Sequence, residues 1–98
     1  MDKVDISVVL PVFNELENLS PLLADLNESL AGTGKTFEII FIDDGSTDGS
    51  LEKLKELQGL DPNVLVIEFR RNFGQTAALA AGLRHSNGEA VITLDADR

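Results

Sequence analysis

Three short segments of this 98-residue chain carry side chains that could bind a cation and a phosphate-bearing ligand. They are Asn14-Glu15, Asp-Asp-Gly-Ser at 43–46, and Asp-Ala-Asp at 95–97. In extended backbone, residues i and i+2 share a face, so Asp95 and Asp97 can present both carboxylates on the same side. Mg²⁺ and Mn²⁺ prefer oxygen ligands and usually retain waters and a phosphate oxygen. The Asp-Ala-Asp pattern at 95–97 therefore predicts a site for Mg²⁺ or Mn²⁺. The bound ion would bridge a diphosphate and stabilise charge developing on a leaving phosphate.

Strands and helices are predicted to alternate along the sequence. Short, β-branched apolar runs predict strands at 6–10, where Pro11 ends the run, and at 37–42, 64–69 and 90–94. Leucines or alanines at helical spacing predict helices from residue 15 to the glycines at 32 and 34, from about 47 to 58, and over 76–85. The order β-α-β-α-β-α-β predicts an α/β fold, with an open, doubly wound parallel sheet in strand order 3-2-1-4.

The helix starts have local capping candidates. Asn14 is the predicted N-cap of the first helix, and Glu17, three residues on, completes a capping box. Ser46 or Thr47 is predicted to cap the second helix. Both assignments place the cap immediately before the helix that it serves.

The predicted topology brings the three polar segments to one edge of the sheet. Open α/β sheets bind ligands beyond the carboxyl ends of their strands, where the strand order reverses. In order 3-2-1-4 this point lies between the first and fourth strands. Each segment alone has a simpler explanation as a strand terminator, a turn or a helix cap. All three follow strands of one sheet, so together they predict a ligand-binding crevice.

The composition excludes several classes of function. The chain has 8 Lys and Arg against 17 Asp and Glu, a net charge of -9, which disfavours binding to nucleic acid or to an anionic membrane surface. It has no Cys, so disulfides, thiolate metal sites and thiol nucleophiles are excluded. The first apolar run is too short for a signal peptide or a membrane span. We therefore expect one soluble, cytoplasmic domain over residues 1–98.

Four motifs together resemble the opening of a family 2 glycosyltransferase of the GT-A fold. They are VLPVFNE at 9–15, IDDGSTDG at 42–49, RNFGQTAAL at 71–79 and LDAD at 94–97. The third is similar to the polyprenyl-phosphate branch, which includes dolichol-phosphate mannosyltransferases and undecaprenyl-phosphate sugar transferases. The resemblance covers essentially the whole chain, and it implies the Rossmann-like nucleotide-binding half of a GT-A fold with a nucleotide-diphospho-sugar donor.

The resemblance also implies roles for individual residues. By match to the family motifs, Pro11, Phe13 and Glu15 would line the nucleotide pocket. Asp43 would hydrogen-bond the base. Arg71 would lie near the donor phosphates, with a solvated loop arginine as the alternative.

The family's Asp-x-Asp motif falls on the last segment. Asp97 would be the direct metal ligand, Asp95 would face the nucleoside or the metal, and Ala96 would contribute its backbone. A full member of the family continues beyond this motif with an acceptor half and an acidic catalytic base. The resemblance therefore implies that residues 1–98 hold no catalytic residue and are inactive in transfer on their own. The parent enzyme would transfer a sugar to a polyprenyl phosphate, at the cytoplasmic face of the membrane.

Two other functions remain open from the residues alone. One is an Asp-x-Asp phosphotransferase or phosphatase-like domain, in which Asp95 would attack phosphate. The other is a non-catalytic, acidic α/β module that binds a partner. A receiver-like version of that module is disfavoured, since Arg70 and Arg71 follow the third strand where an Asp would be needed.

The predicted fourth strand has an open edge. Residues 90–94 contain neither a charge nor a proline to protect them, and unpaired strand edges invite strand addition. We therefore expect a homo-oligomer that forms through this strand or through the helix faces beside it.

Overall fold

Four parallel strands and three helices alternate in the computed structural model, which describes residues 3–96. The elements are β1 (Val4–Val12), α1 (Leu16–Ala31), β2 (Phe37–Asp43), α2 (Ser50–Leu60), β3 (Val64–Glu68), α3 (Gln75–His85) and β4 (Gly88–Thr93). The strands form one sheet in the order β3-β2-β1-β4, and all three pairs are parallel. The predicted strand order is confirmed.

Each face of the sheet has its own apolar core, because successive side chains of a strand point to opposite faces. Val8 and Leu10 of β1 belong to a cluster that includes Leu19 of α1 and Leu54 of α2. On the other face, Val9 belongs to a cluster that includes Ala78 of α3. Helices therefore cover both faces, as a doubly wound sheet requires. Over residues 3–96, none of the helices is long and apolar enough to cross a membrane.

Pro11 lies inside β1, whereas the sequence predicts that it ends the strand. The Val9 carbonyl accepts a hydrogen bond from the Leu94 backbone N–H, so the backbone polar groups of Val9 point toward β4. The backbone of Pro11, two residues on, faces the same side of the strand, beyond the last β1–β4 pair at Val9 and Thr93. A proline that lacks an N–H is tolerated there, since no β4 residue pairs with it within the described register.

The predicted local caps of α1 and α2 are wrong. The residue before α1 is Glu15, and within the described residues its side chain makes no capping hydrogen bond. Asn14 has a positive φ of 55°, and its side-chain oxygen accepts the Thr47 N–H at 2.8 Å. The second helix begins at Ser50, after Gly49, so neither Ser46 nor Thr47 caps it. The group that caps α1 comes from a distant part of the chain, since the Leu16 N–H donates to the Asp48 side chain. The same carboxylate accepts the Ser50 N–H at the start of α2, so α2 is capped locally, but by Asp48.

A buried polar cluster at the amino edge of the sheet ties β4 to the two central strands. The Ser7 hydroxyl donates to Glu38 Oε2 at 2.5 Å, and the Asn87 backbone N–H donates to the same oxygen at 2.6 Å. The Gly88 N–H donates to Ser7 Oγ at 2.7 Å. Since buried polar groups without partners are costly, these bonds favour one register of β4 against β1. That register determines where the segment after β4 emerges.

Candidate functional site

A cavity of about 180 Å³ opens at the carboxyl edge of the sheet, between the ends of β1 and β4. This is the position at which the strand order reverses. Its described wall consists of Pro11, Val12, Phe13, Glu15, Asp44, Gln75, Asp95 and Ala96. Five of the residues singled out from the sequence therefore meet at one place, and Asp43 and Arg71 are not part of this described wall.

The end of β1 provides one side of the cavity. Pro11 is half-buried, whereas the Phe13 ring is 47% exposed and presents an apolar surface to solvent. Glu15 is held from two directions, because its backbone N–H donates to Ser50 Oγ at 3.0 Å and its Oε1 accepts the Asn18 side-chain amide at 2.9 Å. This side of the cavity therefore combines an exposed aromatic ring with an oriented carboxylate.

Asp43 lies at the end of β2, where it pairs in register with Val12 of the cavity wall. Its side chain is buried, with 1% of its surface exposed. Oδ2 accepts the Ser46 backbone N–H at 3.2 Å, but Oδ1 has no hydrogen-bond partner among the described residues. A buried carboxylate oxygen without a donor is unfavourable in a folded protein. Asp43 Oδ1 is therefore a buried acceptor without a donor among the described residues, in contrast to those carboxylate oxygens at this edge that accept hydrogen bonds.

Asp44 is a wall residue that sequence reasoning missed. It is also buried, and its carboxylate accepts hydrogen bonds from the loop that precedes α3. The donors are the Phe73 N–H at 2.7 Å, the Gly74 N–H at 3.1 Å and the Asn72 side-chain amide at 3.2 Å. The alternation of side-chain directions along a strand could have separated Asp44 from Asp43, because consecutive residues at a strand end point in different directions.

Arg71 lies in the same loop but contacts an aromatic ring. Its guanidinium carbon is 4.8 Å from the centroid of the Phe73 ring, which in turn stacks edge-to-face on Phe69 at 5.5 Å. An arginine over an aromatic face is a favourable cation–π pair. A role for Arg71 toward donor phosphates stays a prediction.

The segment after β4 provides the opposite side of the cavity. Asp95 is exposed, and its Oδ1 accepts the Gln75 side-chain amide at 3.1 Å. Ala96 is buried in the core cluster that includes Val12. Asp97, the predicted direct metal ligand, lies outside the described residues. Within residues 3–96, no group of three or more His, Cys, Asp or Glu side chains is arranged to hold a metal ion.

Hydrogen bonds join the loops around the cavity to one another. Besides the bond from Thr47 to Asn14, the Asn14 N–H donates to Ser46 Oγ at 2.9 Å, which links the loops after β1 and β2. The contacts of Asp44 link the loop after β2 to that after β3, and Gln75 links α3 to the segment after β4. All three helices begin at this edge, so the positive ends of their dipoles lie on the same side as the cavity.

Comparisons with known proteins identify a matching family and relatives that are similar in sequence. The family model of glycosyl transferase family 2 matches residues 7–98. The undecaprenyl-phosphate 4-deoxy-4-formamido-L-arabinose transferases of Salmonella paratyphi B and Salmonella newport are each 45% identical to this chain over 93 residues. The match covers 94% of this chain but 28% of each relative. The chain therefore spans a little more than a quarter of the length of these curated relatives.

Solved structures superpose on the chain closely. The mannosyltransferase PcManGT from Pyrobaculum calidifontis, in complex with GDP-Man and Mn²⁺, has a TM-score of 0.81 and 25% identity over 99% of this chain and 28% of its own. S. aureus TarS 1–349, in complex with UDP-GlcNAc, has a TM-score of 0.80 and 27% identity over 95% of this chain and 26% of its own. The predicted Rossmann-like half of a GT-A fold is confirmed. With the family match, these findings lead to one identification: the chain belongs to glycosyl transferase family 2.

Proposed function

We propose that this chain carries the donor site of a glycosyltransferase and binds a nucleotide-diphospho-sugar together with Mg²⁺ or Mn²⁺. The support is the cavity at the reversal of strand order, whose wall includes Pro11, Phe13, Glu15, Asp95 and Ala96. Two structural relatives were solved with GDP-Man and Mn²⁺ and with UDP-GlcNAc. A phosphotransferase with Asp95 as nucleophile has no comparable support, since the family match favours glycosyl transfer.

The observation that carries the proposal is the unpartnered Oδ1 of Asp43, a buried acceptor next to the cavity wall. A base that bears a ring N–H, such as uracil or guanine, would donate to it and remove the cost of an unsatisfied buried oxygen. The exposed Phe13 ring would offer apolar surface to the nucleoside. In this arrangement Asp43 orients the base, and the end of β1 covers the nucleoside.

The diphosphate would meet carboxylates as well as helix N-termini. Glu15, Asp44 and Asp95 all line the cavity, and their charges would repel a diphosphate unless a cation lay between them. The Asp-x-Asp oxygens fit a hard divalent ion, which in proteins commonly binds one or two carboxylates together with substrate phosphates. Asp97 and Asp95 would hold the ion. When bound, it would supply Lewis-acid stabilisation of the charge on the leaving diphosphate.

Calorimetric titration tests this proposal directly. UDP-sugars and GDP-sugars would be titrated into the wild-type chain with and without Mn²⁺, and into Asp97→Ala with Mn²⁺. We expect binding that requires the metal and is lost in the variant. Asp61→Asn is a matched control, because Asp61 precedes β3 at the amino ends of the strands, where it accepts hydrogen bonds from the Asn63 N–H and from the Asn27 side chain of α1. Binding that persists unchanged without metal, or in Asp97→Ala, would contradict the proposed metal site.

We propose further that the whole protein transfers its sugar to a polyprenyl phosphate at the cytoplasmic face of a membrane. The support is the 45% identity of this chain to undecaprenyl-phosphate 4-deoxy-4-formamido-L-arabinose transferases. The test is the full-length gene product, supplied with a labelled nucleotide sugar and vesicles that contain undecaprenyl phosphate. Label should enter the lipid fraction. Transfer that is independent of the polyprenyl phosphate would contradict this acceptor.

A further inference from the structure

The second aspartate of the Asp43-Asp44 pair has a different environment from the first. Asp44 is 4% exposed, and both of its carboxylate oxygens accept hydrogen bonds from the loop at 72–74. Its backbone carbonyl also accepts the Asn72 side-chain amide, at 3.2 Å. Hydrogen bonds to a carboxylate are shorter and stronger than those between neutral groups. Asp44 is therefore the centre to which this loop is attached, and its oxygens are already engaged.

The backbone of the same loop rests directly on Gly45. Gly45 has a φ of +76°, and a Cβ at this position would overlap with the Arg71 carbonyl carbon and the Asn72 nitrogen. Glycine is needed here both for its positive φ and for the close approach of the two backbones. The turn at 43–45 and the loop at 71–74 thus form one unit, with Asp44 as its polar contact and Gly45 as its steric contact.

This unit ends at the first residue of α3. Phe73 and Gly74, whose N–H groups bind Asp44, immediately precede Gln75. The Gln75 side-chain amide donates to Asp95 Oδ1 at 3.1 Å, and both side chains line the cavity. The start of α3 could not rotate or slide without breaking the Asp44 bonds. A continuous chain of contacts therefore runs from Asp44 through the loop to the Asp-x-Asp segment.

We infer that Asp44 is a positioning residue of the donor site, which holds the loop at 72–74 so that Gln75 orients the Asp95 carboxylate. Asp44 then binds neither the metal nor the donor itself. Gln75 acts directly on Asp95, engaging Oδ1 and leaving Oδ2 for the ligand. The consequence for donor binding rests on the proposed function, whereas the chain of contacts can be tested in the free protein.

Nuclear magnetic resonance of the ¹⁵N-labelled chain, without ligand, tests the chain of contacts. The key variant is Asp44→Asn, because it retains one acceptor oxygen but places an NH₂ group against the Gly74 N–H and the Asn72 amide. We expect amide exchange at Phe73 and Gly74 to accelerate by at least about tenfold while the amides of β1 and β2 keep their protection. We also expect the Gln75 side-chain amide signals to move toward their positions in Asp95→Ala. Gln75 signals that stay at wild-type positions would overturn the inference.

Two further variants keep the test decisive. Asn72→Ala removes one donor to Asp44 and leaves the buried carboxylate in place, so it serves if Asp44→Asn does not fold. It should move the Gln75 signals in the same direction by a smaller amount, and unchanged signals would again overturn the inference. Asp61→Asn, which disturbs the loop before β3 at the amino ends of the strands, should leave the Gln75 signals unchanged. A shift of the Gln75 signals in Asp61→Asn equal to that in Asp44→Asn would show a general loosening and contradict positioning by Asp44.

Nucleotide titration then connects the contacts to the site. With Mn²⁺, Asp44→Asn and Gln75→Ala should each bind the nucleotide preferred by wild type at least about tenfold more weakly, whereas Asp61→Asn should bind as wild type does. Wild-type affinity in both site variants would overturn the role in donor binding. If the wild-type chain binds no nucleotide at all, the proposed function fails, and the resonance measurements still decide whether Asp44 positions Gln75.

Discussion

Asp48 caps a helix that begins 32 residues earlier in the chain. Its Oδ2 accepts the Leu16 backbone N–H, at the start of α1, at 3.2 Å. Its Oδ1 accepts the N–H and the hydroxyl of Ser50, at the start of α2, at 2.9 and 2.6 Å. One carboxylate therefore serves two helix N-termini, each of which lacks a partner for its first N–H groups within the helix.

We expect Asp48→Ala to lower the free energy of unfolding by about 1–2 kcal/mol, because the loss of a capping aspartate has costs of this size. Urea denaturation followed by circular dichroism measures the change. Glu28→Ala is a matched control that removes an exposed negative charge from α1 and should change stability by less than about 0.5 kcal/mol. Equal losses in the two variants would contradict the shared cap.

Stability should also depend on acid pH. The hydrogen bond from the Ser50 side chain lowers the pKa of Asp48 below its ordinary value of 3.8. A backbone hydrogen bond from Thr36 is the main cause of a lowered pKa for Asp5. When the folded-state pKa is lowered, the stabilisation is complete above the unfolded-state value and is lost as the pH falls through the folded-state value.

We therefore expect the free energy of unfolding to decrease as the pH falls below 3.8, and to decrease less steeply in Asp48→Asn than in wild type. Urea midpoints between about pH 6 and about pH 2 measure both profiles. The remaining slope in the variant includes the contribution of Asp5. Parallel profiles for the two proteins would show that the Asp48 carboxylate is not stabilised by folding.

Two glycines with positive φ allow the energetic cost of backbone strain to be measured separately from that of steric overlap. Gly34 has a φ of +70° and no atom within 4 Å of the position that a Cβ would take, whereas Gly45 has a φ of +76° and faces the backbone at 71–72. Alanine in the left-handed region costs about 1–2 kcal/mol at either site. We expect Gly45→Ala to cost about 1–3 kcal/mol more than Gly34→Ala, measured by urea denaturation, because the loop must move. Equal costs would mean that the loop does not rest on Gly45.

Base selectivity tests the role proposed for Asp43. Uracil carries a ring N–H at the position where cytosine carries an acceptor nitrogen, and the two bases have the same size. We expect UDP to bind at least about tenfold more tightly than CDP in the presence of Mn²⁺, because CDP would leave Asp43 Oδ1 facing a second acceptor. Calorimetric titration measures both, with GDP and ADP as the corresponding purine pair. Equal affinities within both pairs would contradict a base contact to Asp43.

The open edge of β4 predicts self-association. Val91, Ile92 and Leu94 are 39%, 42% and 39% exposed. We expect the chain to form a dimer or a higher oligomer through β4 or the helix faces beside it, and Ile92→Lys to shift it toward monomer, since a lysine on an edge strand opposes strand addition. Light scattering at high micromolar concentration measures the mass. A wild-type monomer under these conditions would rule out the association.

The strand order could be predicted because alternating strands and helices with right-handed crossovers allow few parallel topologies. The same topology explains why Glu15 and Asp95, 80 positions apart, line one cavity. The resemblance to the family added Pro11, Phe13 and Ala96 to that wall. It assigned Asp43 a role toward the base but gave no role to Asp44, which lines the cavity and accepts the Phe73 N–H.

Apolar periodicity and chain connectivity are properties of the sequence, so they suffice to predict the strands and helices and therefore which loops share the carboxyl edge. Which polar side chains meet at that edge depends on the three-dimensional fold. Asp48 reaches Leu16, and Asp44 reaches Phe73, across 32 and 29 positions. Local capping preferences describe bonds within one helical turn, whereas these bonds exist only after parallel strands have placed distant loops side by side.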